Sequence, residues 1–220
     1  MKIVKGASGF GDAIYLRVIV EWLLANRPND YMILTKYPEV YKDLPVQTAD
    51  LHSKMYNNVS YYCQYLSGKG LFTTTQWEDM LNRAKLPYFP FTSSLKYLSL
   101  LDLTLLNTVI VIPPYNAMNG AKGTFPLIPK FKEFSDYTAK YSDVIYLKQK
   151  YPFLDLVKMF SSCKLVVAQQ GWATALAEMV DTPIHVIFTK RALNDNYKFI
   201  STITPKKILT KPTSKAIIME

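Results

Sequence analysis

Short apolar runs alternate strictly with helix-like segments through the second half of the chain. The apolar runs have the length of single strands and are TVIVI (108–112), DVIYL (143–147), KLVVA (164–168) and IHVIF (184–188). The segments between them with helical patterns are 131–141, 152–163 and 172–180. Strands without polar alternation are typical of a parallel sheet covered by helices on both faces. This half is therefore predicted to be a doubly wound α/β domain.

The first 35 residues predict a strand–helix–strand unit. KIV (2–4) and YMILT (31–35) have the character of buried strands, and residues 12–26 between them form an apolar helix that ends at Arg27-Pro28. Such a unit favours two parallel strands joined by a crossover helix. Residues 36–107 contain helix-like pieces at 51–66 and 76–85 but no clear third or fourth strand.

The sequence thus predicts two small domains in tandem. A reduced first domain spans 1–100, a second domain spans 101–205, and a basic tail occupies 206–220. In doubly wound sheets, ligands bind beyond the carboxyl ends of the strands. We therefore expect a ligand in a cleft between the two domains.

The charge balance indicates which partners to expect. Lys and Arg number 26 against 17 acidic residues, a formal net charge of +9. This excess favours a polyanionic partner such as a nucleotide diphosphate, a nucleic acid or an anionic glycolipid, although a soluble basic protein without such a partner fits equally well.

Other features indicate where the protein works. The two cysteines lack metal-site spacing and are expected to be free core thiols in a reducing compartment. The N-terminus has no apolar leader, and no apolar run approaches the roughly 20 residues of a membrane span. No D-x-D motif occurs, so no metal is expected. These features favour a soluble, cytoplasmic protein.

The loop GASGFGD (6–12) lies where the first strand is predicted to become a helix. Gly9 and Gly11 allow a tight turn and a close approach of the backbone to a ligand. Asp12 then falls at the helix start, where an aspartate serves well as an N-cap. A carboxylate at this place can also face the cleft, so the spacing leaves a capping and a chemical role open.

A second loop, at 169–171, precedes the helix at 172–180. The free N–H groups at that helix start, at Gly171, Trp172 and Ala173, predict an anion site. Lys190 and Arg191 follow the next strand on the same edge of the sheet and favour a phosphate there. Further candidates for contacts to a nucleotide or sugar are Gln169, Gln170, Thr174, Lys122 and Lys130.

Both ends of the chain resemble one family. MKIVKGASGFGDAIYLRVIVEWLLANRPND resembles the start of the ADP-heptose–lipopolysaccharide heptosyltransferases, with a strand, a G-x-GD loop and an apolar helix. KLVVAQQGWATALAEMVDTPIHVIF is similar to their donor-site segment. The resemblance implies a GT-B fold, in which two Rossmann-like domains face a cleft that holds a nucleotide sugar. It also implies transfer with inversion and no cofactor beyond that co-substrate.

The resemblance assigns roles to particular residues. Asp12 takes the place of the general base of the GD loop. Against the family pattern D-T-G-x-x-H, the sequence places Gln170 at the acid and Ala175 at the histidine, which leaves the donor sugar open. Binding of the diphosphate through backbone amides does not depend on those side chains.

Three functions follow as expectations. The first is an inverting, metal-independent glycosyltransferase that acts on a saccharide or glycolipid. The second is a phage-type DNA glycosyltransferase that modifies hydroxymethylated bases, for which the basic tail would hold the phosphate backbone. The third is a catalytically inactive module that binds a nucleotide or a partner protein.

Overall fold

Two fully parallel sheets form the centre of the protein in its computed structural model. The structure describes residues 1–56, 58–64, 76–95, 102–112, 139–147, 151–169, 171–189 and 216–219. The first sheet draws its strands from the first 63 residues and the second from residue 109 onward. The predicted α/β class with two parallel, helix-covered sheets is confirmed.

The first sheet has four strands in the order β3-β2-β1-β4. The strands are β1 (Lys2–Gly6), β2 (Tyr31–Thr35), β3 (Gln47–Asp50) and β4 (Tyr61–Cys63). Helix α1 (Phe10–Asn26) connects β1 to β2, and a 3₁₀ helix (Pro38–Tyr41) follows β2. In this register, Val4 of the central strand pairs with Ile33 of β2 and Tyr61 of β4.

The prediction of β1, α1 and β2 is confirmed, but the expectation of no third or fourth strand is wrong. Both missed strands lie at the edges of the sheet. β3 is polar and mostly exposed, and β4 has three residues, so neither has the apolar signature of a buried strand. β4 and a turn also occupy much of 51–64, where a helix-like piece was predicted. The predicted helix at 76–85 is confirmed as α2 (Gln76–Arg83).

The second sheet has five strands in the order β6-β5-β7-β8-β9. They are β5 (Val109–Val111), β6 (Val144–Tyr146), β7 (Leu165–Gln169), β8 (Ile184–Thr189) and β9 (Ala216–Met219). The helices here are α3 (Phe153–Ser162) and α4 (Trp172–Met179). These elements match the predicted ones to within a residue or two, except β9; most of the helix predicted at 131–141 lies outside the described residues.

Strand β9 comes from the stretch that sequence reasoning treated as a basic tail. Ala216 pairs with Val186 and Met219 with Thr189, both in parallel. The tail assignment at 206–220 is therefore corrected at residues 216–219, which form an edge strand. The apolar sequence AIIM supplies the reason, since it can extend a buried sheet whereas the lysines before it cannot.

One hydrophobic core joins the two sheets. It contains Val4 and Ile19 from the first half and Ile110, Phe160 and Ala175 from the second. Helix α1 is apolar around most of its circumference because it packs on its own sheet and also against α4. The α1–α4 contact therefore determines how the two halves meet.

A buried charge network anchors α1. Arg17 has no exposed surface and donates to both carboxylate oxygens of Asp43, at 2.7 and 2.6 Å, and to Glu21 at 2.8 Å. Glu21 in turn accepts hydrogen bonds from the Ser93 hydroxyl at 2.7 Å and the Ser94 N–H at 2.9 Å. The network ties α1 to the segments that follow β2 and α2.

Candidate active site

Asp12 lies in the first turn of α1 rather than at its N-cap. Gly9 is the N-cap, α1 begins at Phe10, and the Asp12 Oδ2 atom accepts a hydrogen bond from the Gly9 N–H at 2.9 Å. This is the carboxylate half of a capping box, since glycine has no side chain to supply the other half. Asp12 is partly exposed at the positive end of the helix, so its capping bond is compatible with a chemical role.

The starts of α1 and α4 touch each other. A Cβ atom on Gly11 would lie 3.3 Å from the Trp172 Cα and 3.4 Å from the Trp172 backbone nitrogen. Backbone therefore meets backbone, and only glycine fits without displacement. Asp12 is the next residue along α1 from this contact.

Helix α4 begins with an unusual residue. Gly171, its N-cap, has φ 154° and ψ −148°, a conformation that residues with a Cβ rarely adopt. Gly171 has no side chain with which to cap this helix. Because the first N–H groups of an α-helix have no partner within the helix, the first turn of α4 is a place for a bound anion.

Thr174, also in the first turn of α4, is a buried residue with an unsatisfied hydroxyl. It is 2% exposed, and its Oγ1 atom has no hydrogen-bond partner among the residues that the structure describes.

Aromatic rings surround the point where the two helices meet. The Phe10 ring lies edge-on to Trp172 at 5.7 Å between centroids and to Tyr37 at 5.2 Å. Trp172 also contacts Phe160 at 6.0 Å. These contacts give the Trp172 ring a packing role.

Sequence reasoning missed Tyr37, which lies two residues beyond the end of β2. Its ring is partly buried, and burial, followed by the charges of Glu39 and Asp12, raises the pKa of its phenol. Tyr37 is thus close enough to Asp12 to feel its charge. Tyr37 could have been found from its position just after β2, because β2 pairs in parallel with β1 and the carboxyl ends of the two strands therefore lie side by side.

One of the remaining predicted site residues, Gln169, ends β7, where it pairs with Ile187. The candidates that lie outside the described residues are Gln170, Lys122, Lys130, Lys190 and Arg191.

Both cysteines are free and buried. Burial raises the pKa of the Cys163 thiol to about 11 and that of Cys63 further still. Both are therefore protonated thiols near neutral pH and do not serve as nucleophiles. Within the described ranges, no three His, Cys, Asp or Glu side chains gather as a metal site, and no helix is long and apolar enough to cross a membrane.

The two parallel sheets, with the glycine-containing turns that lead into α1 and α4, define a GT-B-like fold. No family model and no curated protein matches the sequence. Among solved structures, the protein is similar to *E. coli* ADP-heptose LPS heptosyltransferase II, with a TM-score of 0.55 and 11% identity over 100% of this chain and 90% of that one.

Two further structures are of the dodecameric, iron-containing TibC. The complex of the heptosyltransferase TibC with ADP-D-β-D-heptose has a TM-score of 0.54 and 9% identity, and covers 84% of this chain and 57% of that one. TibC from enterotoxigenic *E. coli* has a TM-score of 0.51 and 10% identity, covering 85% and 59%. The chain therefore has the fold of the heptosyltransferases, as the two sequence segments predicted.

Proposed function

We propose that the protein is an inverting, metal-independent glycosyltransferase that moves a sugar from a nucleotide-diphosphate donor to a hydroxyl acceptor. The observation that carries this proposal is the contact between Gly11 and Trp172. It packs the start of α1, which carries Asp12, against the start of α4, on a fold shared with heptosyltransferases. A general base on one helix start and N–H donors on the other are the two groups that displacement of a nucleotide diphosphate needs.

Asp12 acts as the general base in this mechanism. Its carboxylate takes the proton of the acceptor hydroxyl as the acceptor oxygen attacks the anomeric carbon of the donor. The bond from that carbon to the diphosphate oxygen breaks on the opposite face, so the configuration inverts. The bonding electrons and the negative charge leave with the nucleoside diphosphate.

The start of α4 receives the leaving group. The N–H groups at Gly171, Trp172 and Ala173 point their partial positive charge at the diphosphate, and Lys190 and Arg191 add full charges. Thr174, with its buried and unpartnered hydroxyl, and the glutamines at 169 and 170 then contact the donor sugar or nucleotide.

We further propose a saccharide or glycolipid acceptor and a cytoplasmic site of action. Two of the structurally similar proteins are heptosyltransferases, one of them for lipopolysaccharide. A net charge of +9 suits an acceptor that carries anionic groups.

A panel of nucleotide sugars tests the proposal. The purified protein is screened with ADP-, UDP-, GDP- and CMP-linked sugars by thermal shift, and mass gain is then measured on saccharide, glycolipid and hydroxymethylated DNA acceptors. We expect one donor to stabilise the protein and sugar transfer to a saccharide or glycolipid that persists in EDTA. Transfer to DNA would reassign the acceptor. Loss of activity on chelation would refute metal independence, and binding without turnover of any donor would indicate an inactive module.

A further inference from the structure

We propose that Tyr37 binds the acceptor, donating a hydrogen bond from its phenol to a hydroxyl that neighbours the one attacked through Asp12. This inference rests on the proposed function and narrows its acceptor to a saccharide with adjacent hydroxyls. Tyr37 is then a residue that selects the acceptor, whereas Asp12 performs the proton transfer.

The position of Tyr37 is held from two sides. Its N–H donates to the Thr35 Oγ1 atom at 3.0 Å, and its backbone caps the 3₁₀ helix Pro38–Tyr41. Its ring meets the Phe10 ring edge-on at 5.2 Å. Because Phe10 begins α1 and Asp12 lies two residues on, the same helix start positions both the ring contact and the carboxylate.

The Tyr37 hydroxyl differs from neighbouring phenols. Tyr41, four residues on, is buried and donates to the Ala13 carbonyl oxygen at 2.9 Å, and the Tyr31 hydroxyl donates to the Arg27 carbonyl. Within the described part of the chain, the hydroxyl of Tyr37 makes no hydrogen bond. A partly buried phenol that feels the charge of Asp12, and whose hydroxyl has no described protein partner, is suited to a polar ligand.

The Tyr37 phenol is protonated and can therefore donate a hydrogen bond. Burial and the nearby charges of Glu39 and Asp12 raise the pKa of this phenol, so it keeps its proton throughout the neutral range. Asp12, which must be ionised to act as a base, can only accept hydrogen bonds. The two groups therefore hold different oxygens of one acceptor, one losing its proton and one accepting a hydrogen bond.

This division of roles selects between acceptor classes. A pyranose presents hydroxyls on neighbouring carbons, one for each group. A hydroxymethylated base presents a single hydroxyl, so that Tyr37 would have to donate to the base ring or to a phosphate instead. The proposed pairing of two protein groups with two neighbouring hydroxyls is therefore specific to a saccharide.

The ratio of transfer to donor hydrolysis in Tyr37→Phe tests the inference. The donor is the nucleotide sugar selected from the panel, and the acceptors are the methyl pyranosides of glucose, galactose, mannose and glycero-manno-heptose. We expect the ratio and the acceptor kcat/KM to fall roughly three- to tenfold, the size of one neutral hydrogen bond. Hydrolysis should be unchanged, since water brings no second hydroxyl.

Two controls separate acceptor binding from structure. Tyr41→Phe removes a buried hydrogen bond and should lower the melting temperature without changing the ratio. With a deoxy acceptor that lacks the neighbouring hydroxyl, the wild type should lose the same factor as the variant, and Tyr37→Phe should lose nothing further.

An unchanged ratio and acceptor KM in Tyr37→Phe would overturn the inference while leaving the glycosyltransferase intact. An equal fall in hydrolysis and transfer would also overturn it, because the phenol would then act through Asp12. If the wild type turns over no nucleotide sugar, that result contradicts the proposed function itself, and the role of Tyr37 in acceptor binding is contradicted together with it.

Discussion

The starts of α1 and α4 each depend on one glycine, but for opposite reasons. Gly11 is required for space, because a Cβ there would press on the Trp172 backbone at 3.3 Å. Gly171 is required for conformation, since its φ of 154° is strained for other residues, although a Cβ there would meet no atom of the described residues within 4 Å. Gly11 lets two helices pack closely, and Gly171 allows the turn that begins α4.

The two helices also differ in how their polar groups are satisfied. At α1, the Asp12 carboxylate accepts from Gly9, and Arg17 holds the helix body through paired carboxylates. At α4, the N-cap Gly171 has no side chain to cap the start, the buried residues are mostly small and apolar, and Thr174 keeps a hydroxyl without a partner in the described chain. The start of α1 thus presents a positioned carboxylate, and the start of α4 presents backbone N–H groups that the N-cap side chain does not cap.

The largest effect is expected at Asp12. Asp12→Asn should slow sugar transfer by about a hundredfold or more, because the amide cannot take a proton. The side-chain oxygen of asparagine can still accept from the Gly9 N–H, so melting temperature and donor affinity should change little. Initial rates with calorimetric titration of the donor check this, and full activity in the variant would reduce Asp12 to a capping residue.

The largest effect on stability is expected at Arg17. Arg17→Met leaves the Asp43 and Glu21 carboxylates without their buried cation and should cost about 3–5 kcal/mol of unfolding free energy. Arg83→Met is the matched control, since Arg83 forms an exposed i,i+4 pair with Asp79 at 3.2 Å. That control should change stability by less than about 1 kcal/mol. Urea denaturation measures both, and equal losses would show that the Arg17 network adds no special anchoring.

The same network predicts a pH dependence. Burial alone would raise the pKa of Asp43, but hydrogen bonds and charge from Arg17 outweigh it and lower that pKa below its ordinary value. A lowered folded-state pKa contributes stability that is present above about pH 4 and is lost as pH falls through the folded-state value. Stability measured between pH 3 and 6 should therefore fall less steeply in Arg17→Met than in the wild type. Parallel curves would contradict this.

The two glycines should respond differently to alanine. Gly171→Ala should cost roughly 1–3 kcal/mol through backbone strain and weaken donor binding by distorting the α4 start. Gly11→Ala should force α1 and α4 apart by a few tenths of an ångström and reduce the rate of transfer more than it reduces donor affinity. Melting curves, donor titrations and rates on both variants test the contrast. If the two variants changed stability, donor affinity and transfer rate in the same way, the proposed difference between the two glycines would be contradicted.

The smallest stability effect is expected at Thr174. Thr174→Val replaces an unpartnered hydroxyl with a methyl group of similar shape, so stability should stay level or rise by about 1 kcal/mol, while donor affinity falls. Thr182→Val is the control, because the Thr182 hydroxyl donates to the Phe160 carbonyl at 2.6 Å. That variant should lose about 1 kcal/mol and bind donor normally. Unchanged donor affinity in Thr174→Val would remove Thr174 from the donor site.

Strands with continuous apolar runs were predictable because burial on both faces leaves a strong composition signal. β1, β2 and β5 through β8 all carry such runs, and each was predicted within a residue or two. Of these, β6 is an edge strand of intermediate exposure, so it was its apolar sequence rather than full burial that made it predictable. β3 and β4 were not predictable in this way, because a polar or three-residue edge strand is stabilised by its neighbour rather than by its own sequence. β9 was missed because the lysines that precede it dominate the local composition.

The sequence by itself determined the parallel α/β class, the glycine loop with Asp12 at a helix start, and a second helix start preceded by Gly171. These features are local, since they follow from periodicity and from which residues tolerate a turn. Only the tertiary structure decided that Gly11 meets Trp172, that Arg17 is buried between two carboxylates, and that Tyr37 lies close enough to Asp12 to feel its charge. Apart from Arg17 and Glu21, which are four positions apart, each of these pairs is more than twenty positions apart. Such pairings arise from the packing of whole helices and sheets rather than from local preference.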